Sequence, residues 1–342
     1  MSVLFPSQFN ATSQTTDAAA LRVAVLIPCY NEAAAIGSVV RDFRAALPQA
    51  QIYVYDNNSS DGTAEVAARA GAIVRREPRQ GKGHVVRRMF ADIEADVFVM
   101  VDGDDTYDAA AAPAMVARLA DEGLDLVNGV RVARSDTAYR PGHKLGNQVL
   151  SGLVRTIFGR GSSDMLSGFR VFSRRFVKTF PMMSRGFEIE TELTVHALEL
   201  DMPTAEVPGR FKDRPEGSES KLNSIRDGVR ILRTITRLLK QERPLLVFST
   251  LAAAFAVTAL ALAAPVFAEY FATGLVPRLP TAVLSASLMI LAFLSGAVGL
   301  ILDTVTRGRQ EAKRMQYLSV PGVLATRTDT AGAAPPPMPR AR

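Results

Sequence analysis

The sequence predicts an α/β fold, a mostly parallel sheet with helices on both faces, followed by two apolar helices that each reach across a bilayer. Three observations carry that expectation. Residues from about 21 to 210 switch repeatedly between short apolar runs and stretches whose apolar residues recur at helical spacing. Strands that alternate with helices in this way are joined by right-handed crossovers and lie parallel. Two later runs, Pro244 to Ala268 and Leu279 to Leu302, contain no charged residue; at ~1.5 Å rise per residue, either covers a ~30 Å hydrocarbon core.

Taken in order, MSVLFPSQFNATSQTTDAAA lacks the basic start and apolar core of a signal peptide and reads as a flexible polar arm over residues 1–20. LRVAVLIP has the length and composition of a buried strand, and NEAAAIGSVVRDFRAAL has helical spacing. QIYVYD is the next strand, and SSDGTAEVAARA opens a helix with Ser/Asp capping chemistry. GAIVRRE, KGHVVRRMFADI, DVFVMVD, AAAPAMVARLADE and LDLVNGV continue the alternation inside a soluble unit over 21–220. KLNSIRDGVRILRTITRLLK then places Leu222, Ile225, Val229, Leu232, Ile235 and Leu239 on one helical face. That is the pattern of an interfacial helix or of an amphipathic helix packed on the domain; a span starting directly after it favours the former over 221–243. The two-span hairpin occupies 244–304. A cytosolic tail, partly disordered, takes 305–342 and ends in the Pro/Ala-rich AGAAPPPMPRAR.

The net charge of +6 is explained by the membrane flanks. Arg226, Arg230, Arg233, Arg237, Lys240 and Arg243 precede the first span, and Arg307, Arg309, Lys313 and Arg314 follow the second. By the positive-inside rule, both termini and the soluble unit are cytoplasmic, on the inner (plasma) membrane. Basic stretches interleaved with aromatics are missing, so nucleic acid is not an expected partner. One cysteine, Cys29, excludes an intramolecular disulfide and a Cys-based zinc site. A homo-oligomer is left open.

In open parallel sheets ligands bind beyond the carboxyl ends of the strands. Those ends are Pro28-Cys29-Tyr30-Asn31-Glu32, Asp56-Asn57-Asn58 and Asp102-Gly103-Asp104-Asp105. No GxGxxG follows the first strand, and the GKG of residues 81–83 lacks the Walker A pattern, so neither NAD binding nor P-loop hydrolysis is expected. Asp102 and Asp104, one residue apart in VFVMVDGDDTYD, can share one Mg²⁺ or Mn²⁺ whose other positions take water and phosphate oxygens. An isolated DxD is more often a turn and cap, here with Asp105 or Thr106 capping a helix near Ala110. Its place at a strand end favours the ligand reading.

VLIPCYNE, YDNNSSDGT and VDGDD, followed in order by DMLSGFRVF, RGFEIETEL and RPEGSESKL, resemble the motifs of family 2 glycosyltransferases of the GT-A fold, in particular the dolichyl- and polyprenyl-phosphate sugar synthases. The resemblance covers about residues 22 to 240. It implies that Pro28, Tyr30, Glu32, Asp56 and Asn57 line the nucleotide, with Asn57 where Asp is usual. Asp102, Gly103 and Asp104 would set the metal against the diphosphate, and Lys82 would reach the nucleotide side. Arg131, Lys144, Arg170, Arg214 and Lys221 would be cations for the diphosphate and for an acceptor phosphate. Glu190 and Glu192 would orient the sugar or the loop beneath it. Alternatives stay open: Tyr30 as packing, Asp56 as a turn cap, Arg170 as a structural ion pair, and Glu190 and Glu192 solvated or paired with Arg185.

The reaction so implied is inverting, metal-dependent transfer from a UDP- or GDP-hexose to a polyprenyl phosphate at the cytoplasmic membrane face. A lipid phosphate is already anionic and needs cations, whereas a hydroxyl acceptor would want a general base. Transfer to a hydroxyl of a membrane glycolipid or cell-surface saccharide is the main alternative. A non-catalytic membrane scaffold is another. A processive polysaccharide synthase is disfavoured because its Gln-x-x-Arg-Trp motif needs a tryptophan, and the chain has none.

Overall fold

Seven strands form one sheet in the order β3-β2-β1-β4-β6-β5-β7. They are β1 (Val23–Cys29), β2 (Gln51–Asp56), β3 (Ile73–Arg76), β4 (Val97–Met100), β5 (Leu126–Ala133), β6 (Arg170–Ser173) and β7 (Thr204–Phe211). The computed structural model describes residues 21–133, 163–182, 188–212 and 242–324, with positions 152, 186, 236, 239 and 240. The expected arm over 1–20, Lys144, Arg185, Arg214, Lys221, most of the expected interfacial helix and the end of the tail lie outside the described residues.

The helices of the α/β unit are α1 (Ile36–Ala46), α2 (Thr63–Arg69), α3 (Lys82–Asp92), α4 (Ala112–Asp121), α5 (Arg174–Thr179) and α6 (Ile189–Glu199). Successive strand residues point to opposite faces of a sheet, and the core divides accordingly. Val25 and Ile27 of β1 and Val97 and Val99 of β4 face α1 and α4, joining Val40, Phe43, Met115 and Leu119. Ala24, Leu26, Phe98 and Met100 face the other way, joining Val86 and Phe90 of α3, Phe176 of α5 and Leu193 of α6. Covered on both faces, β4 is an unbroken apolar run with every residue buried.

The sheet is mostly parallel, as expected, with one strand reversed. β6 is antiparallel to both β4 and β5, while the pairs β1–β2, β2–β3, β1–β4 and β5–β7 are parallel. After β5 the chain therefore returns to the sheet from the carboxyl edge. The start of β6 and the loop ahead of it lie at the edge where β1, β2 and β4 end.

α7 (Pro244–Thr273) and α8 (Leu279–Ser319) pack side by side as a hairpin, each long and apolar enough to cross a membrane. Their backbones approach closely at Gly299, where a Cβ would stand 2.8 Å from Phe248 Cβ. Only 6% and 11% of their most apolar windows are buried, unlike a core helix, which hides its apolar surface against protein. Glu269 and Arg278, the two charges between the apolar runs, form an ion pair of 2.8 Å. The far end of α8 departs from expectation. It continues past Leu302 to Ser319, so residues 305–319 of the expected tail are helical, and Val323 beyond them enters the core of the α/β unit. Tyr317 fixes that extension by donating a hydrogen bond to Asp125 just ahead of β5, at 2.7 Å.

Candidate active site

The carboxyl edge gathers side chains from four segments. Lys82, the first residue of α3, sends its Nζ to 2.5 Å from Asp102 Oδ1 and 2.5 Å from Glu190 Oε1. Asp102 follows β4, and Glu190 sits in the first turn of α6, where an acidic residue suits the positive end of the helix dipole. Glu190 is thus paired with Lys82, an option the sequence did not raise. Burial would lower the Lys82 pKa, but the two carboxylates outweigh it and hold the ammonium well above its usual range. Burial pushes the Glu190 carboxyl up, and Lys82 draws it back. The Asp102 side chain stays 28% exposed and that of Glu190 only 5%. Asp102 is the acid of this trio that a ligand can meet.

Asp104 is buried, and its Oδ1 accepts from Thr106 Oγ1 at 2.6 Å and from Thr106 N at 3.3 Å. Asp105 has left-handed backbone (φ 56°) and stands 3.6 Å from Lys212. The helix cap expected of Asp105 or Thr106 belongs instead to Asp108, whose Oδ1 accepts from Ala110 N at 3.0 Å. Gly103 packs against Cys29. Burial raises the Cys29 thiol pKa well above its ordinary value, and Glu32, Asp56, Asp102 and Asp104 all push it further. Four carboxylates from three strand ends therefore bear on one point. Among the described residues no three such groups form a ready-made metal cage. A divalent ion here would rest on two carboxylates plus ligand and solvent oxygens, the habit of Mg²⁺; hard carboxylate oxygens on one turn fit that requirement.

The floor of the site is built by the loop preceding β6. Gly168 lies so close to Asp102 that a Cβ would stand 2.6 Å from the carboxyl carbon, and its N–H donates to the Tyr107 hydroxyl at 2.8 Å. Arg170 holds this loop from below. Fully buried, it donates to the carbonyls of Ser167 (2.9 Å) and Met165 (2.6 Å) and to Thr194 Oγ1 of α6 (2.9 Å). Arg131 makes a two-pronged contact with Asp164, 2.7 Å on each arm, and lies over the Phe211 ring. Both arginines, expected to meet phosphates, are engaged in shaping the loop.

The remaining expected residues form the other rim. Asn57 donates to the carbonyls of Glu77 and Arg79 and accepts from Gly81 N, each at 2.8 Å. A carboxylate cannot donate, so the amide gives a physical reason for Asn where Asp was the expected type. Asp56 is buried and accepts from Ser59 N at 3.2 Å, the turn-capping contact that the sequence allowed. Asn31, with left-handed backbone, links this turn to the end of β1 by accepting from Ser60 N at 2.9 Å. Pro28 lies in β1 opposite Tyr55, Glu32 is buried beside Thr63, and Tyr30 is 39% exposed at the rim. Glu192 is buried on α6, two residues beyond Glu190. Tyr107, Asp164 and Gly168 escaped the sequence reading; all three lay inside quoted motifs, but nothing local aims Tyr107 at the Gly168 amide.

The sequence and fold resemble known proteins. A model of glycosyl transferase family 2 matches residues 24–180. The glycosyltransferase AglJ of Haloferax volcanii is 38% identical over 254 residues, covering 72% of this chain and 82% of that protein. The dolichyl-phosphate hexose transferase of the same organism is 28% identical over 222 residues, covering 65% of this chain and 95% of that protein. In fold, the chain is similar to the crystal structure of glucosyl-3-phosphoglycerate synthase from Mycobacterium tuberculosis in complex with Mn²⁺, UDP and glucosyl-3-phosphoglycerate. That match has TM-score 0.51 and 24% identity, over 65% of this chain and 80% of the other.

Proposed function

The chain belongs to glycosyl transferase family 2, and from that premise we propose that it transfers a hexose, with inversion, from a UDP- or GDP-sugar to a polyprenyl phosphate at the cytoplasmic face of a membrane. As a glycosyltransferase of GT-A-like fold it acts on nucleotide sugars. The observation that carries the finer reading is the attachment of the acidic cleft at Asp102 to two apolar helices whose flanks are uncovered. The dolichyl-phosphate hexose transferase among its relatives supports a lipid phosphate acceptor.

In this reading Tyr30, Glu32, Asp56 and Asn57 border the nucleotide, and Asp102 and Asp104 hold Mg²⁺ or Mn²⁺. When bound, the metal supplies fixed positive charge against the departing diphosphate, the largest catalytic contribution in reactions of this kind. Lys82 bridges Asp102 and Glu190 and holds both in place, and Arg170 and Arg131 act as positioning residues through the 164–168 loop. The acceptor phosphate, already anionic, is drawn by Lys144, Arg214 and Lys221. It attacks the anomeric carbon as the bond to the diphosphate breaks, so an α-linked donor gives a β-linked product. Lys and Arg flanking both apolar runs support the cytoplasmic orientation.

The test incubates full-length protein in lipid nanodiscs with polyprenyl phosphate, Mn²⁺ and a panel of radiolabelled nucleotide sugars. We expect label in the organic phase with one donor, its loss with EDTA and its loss in Asp104→Asn at unchanged expression. Label confined to a water-soluble product would overturn the lipid acceptor.

A further inference from the structure

The apolar run of α8 ends at Leu302, yet the helix continues to Ser319, about 25 Å further at 1.5 Å per residue. One side of this extension is fastened by contacts at helical spacing, first to Glu242 just ahead of α7 and then to the α/β unit. Arg309 Nη2 stands 2.5 Å from Glu242 Oε1, and Gln310 Nε2 donates to Glu242 Oε2 at 3.1 Å. Lys313 Nζ stands 2.6 Å from Glu199 Oε2. Tyr317 donates to Asp125, and the Arg175 guanidinium lies 4.2 Å from its ring while itself bonded to Asp125 at 3.0 Å. The side chains of Asp125 and Glu199 are only 1% and 3% exposed. Buried carboxylates are strongly destabilised when a partner is withdrawn, so these contacts make a firm attachment where surface pairs would not.

The attachment lies on the side of the sheet away from the acidic cleft. Asp125 precedes β5, Arg175 follows the reversed β6, and Glu199 closes α6 shortly before β7. α6 itself joins the two regions, with Glu190 in its first turn at the cleft and Glu199 in its last at α8.

We propose that Lys313 and Tyr317 are positioning residues that clamp the catalytic unit, by the edge remote from its cleft, onto the rigid extension of α8, and so set one height and tilt of the cleft above the bilayer. The proposal rests on α7 and α8 crossing a membrane. It explains why a helix with no apolar reason to continue runs on past the hydrocarbon, and why its polar side is matched to buried acids.

The test uses the full chain in nanodiscs, with a fluorophore on a cysteine introduced at Ala68, an exposed position of α2, and energy-transfer acceptors on the lipid headgroups. The native chain should give one narrow distance distribution. Lys313→Glu and the milder Tyr317→Phe should both broaden it, and Glu199→Lys combined with Lys313→Glu should narrow it again. An unchanged distribution in both single variants overturns the proposal, as does a broadening that the charge exchange fails to reverse. Tyr317→Phe decides alone if Lys313→Glu does not fold. In a parallel assay, the broadened variants should lose about tenfold in transfer to long-chain polyprenyl phosphate in the same discs, while staying within about twofold on a short, detergent-soluble prenyl phosphate. A native chain inert toward both acceptors would count against the proposed acceptor only, and the distance measurement would still decide the clamp.

Discussion

Lys82 is the residue on which the cleft turns, because it is the cation between an acid that ligands can meet and one that they cannot. Removing it leaves Glu190 buried without its ion-pair partner, a loss of about 3 kcal/mol or more. We therefore expect Lys82→Met to lower the melting temperature by several degrees and to abolish transfer. Adding Glu190→Gln should recover the stability without the activity, as a thermal melt beside a turnover assay would show. At this scale the sequence was half legible. Asp102 and Asp104 announce themselves by spacing and by their strand end. The fates of Arg131 and Arg170 do not, because a charged side chain's partner is chosen by tertiary neighbours: Asp164 in one case, and backbone carbonyls and Thr194 in the other. Asn57 stands in the sequence where Asp is usual, and its amide straps a loop in a way the sequence does not announce.

Elements β1 to β5 and α1 to α4 could be read directly, since the apolar period switches between two and 3.6 residues and depends on nothing distant. The direction of β6 could not. It is decided by the route of the chain after β5, and a buried strand of four residues, RVFS, looks the same run either way. The extension of α8 was missed for a related reason. Its one matched face alternates charge with polar residues, and the acids that meet it lie far away in sequence, so the pattern resembles a solvated tail. Within the hairpin, the close approach at Gly299 makes a specific demand. Gly299→Val should force α7 and α8 apart against the Cβ of Phe248 and lower thermal stability in detergent, and Phe248→Ala, which keeps that Cβ, should leave most of the loss in place.

Across the molecule, acid should weaken the protein well before its surface carboxylates protonate. His196 is buried against Phe176 and Phe180, and burial, aided by Lys313, depresses its pKa to about 3 from an ordinary value of 6.5. The unfolded chain therefore binds a proton that the folded chain refuses. Stability from this group is complete above about pH 6.5 and is lost as pH falls toward 3, by up to about 1.4 kcal/mol per unit. Melting temperatures between pH 7 and 5 should fall on this account, and His196→Phe should flatten the slope; an equal slope in that variant would refute the assignment.

The Asn57 amide has a mechanical implication. By gripping the backbone at 77, 79 and 81, it welds the turn after β2 to the root of α3. The rim carrying Asp56 and the stem carrying Lys82 then behave as one stiff jaw. Among the described residues, the side facing that jaw across the cleft is the Asp164–Gly168 segment propped on Arg170.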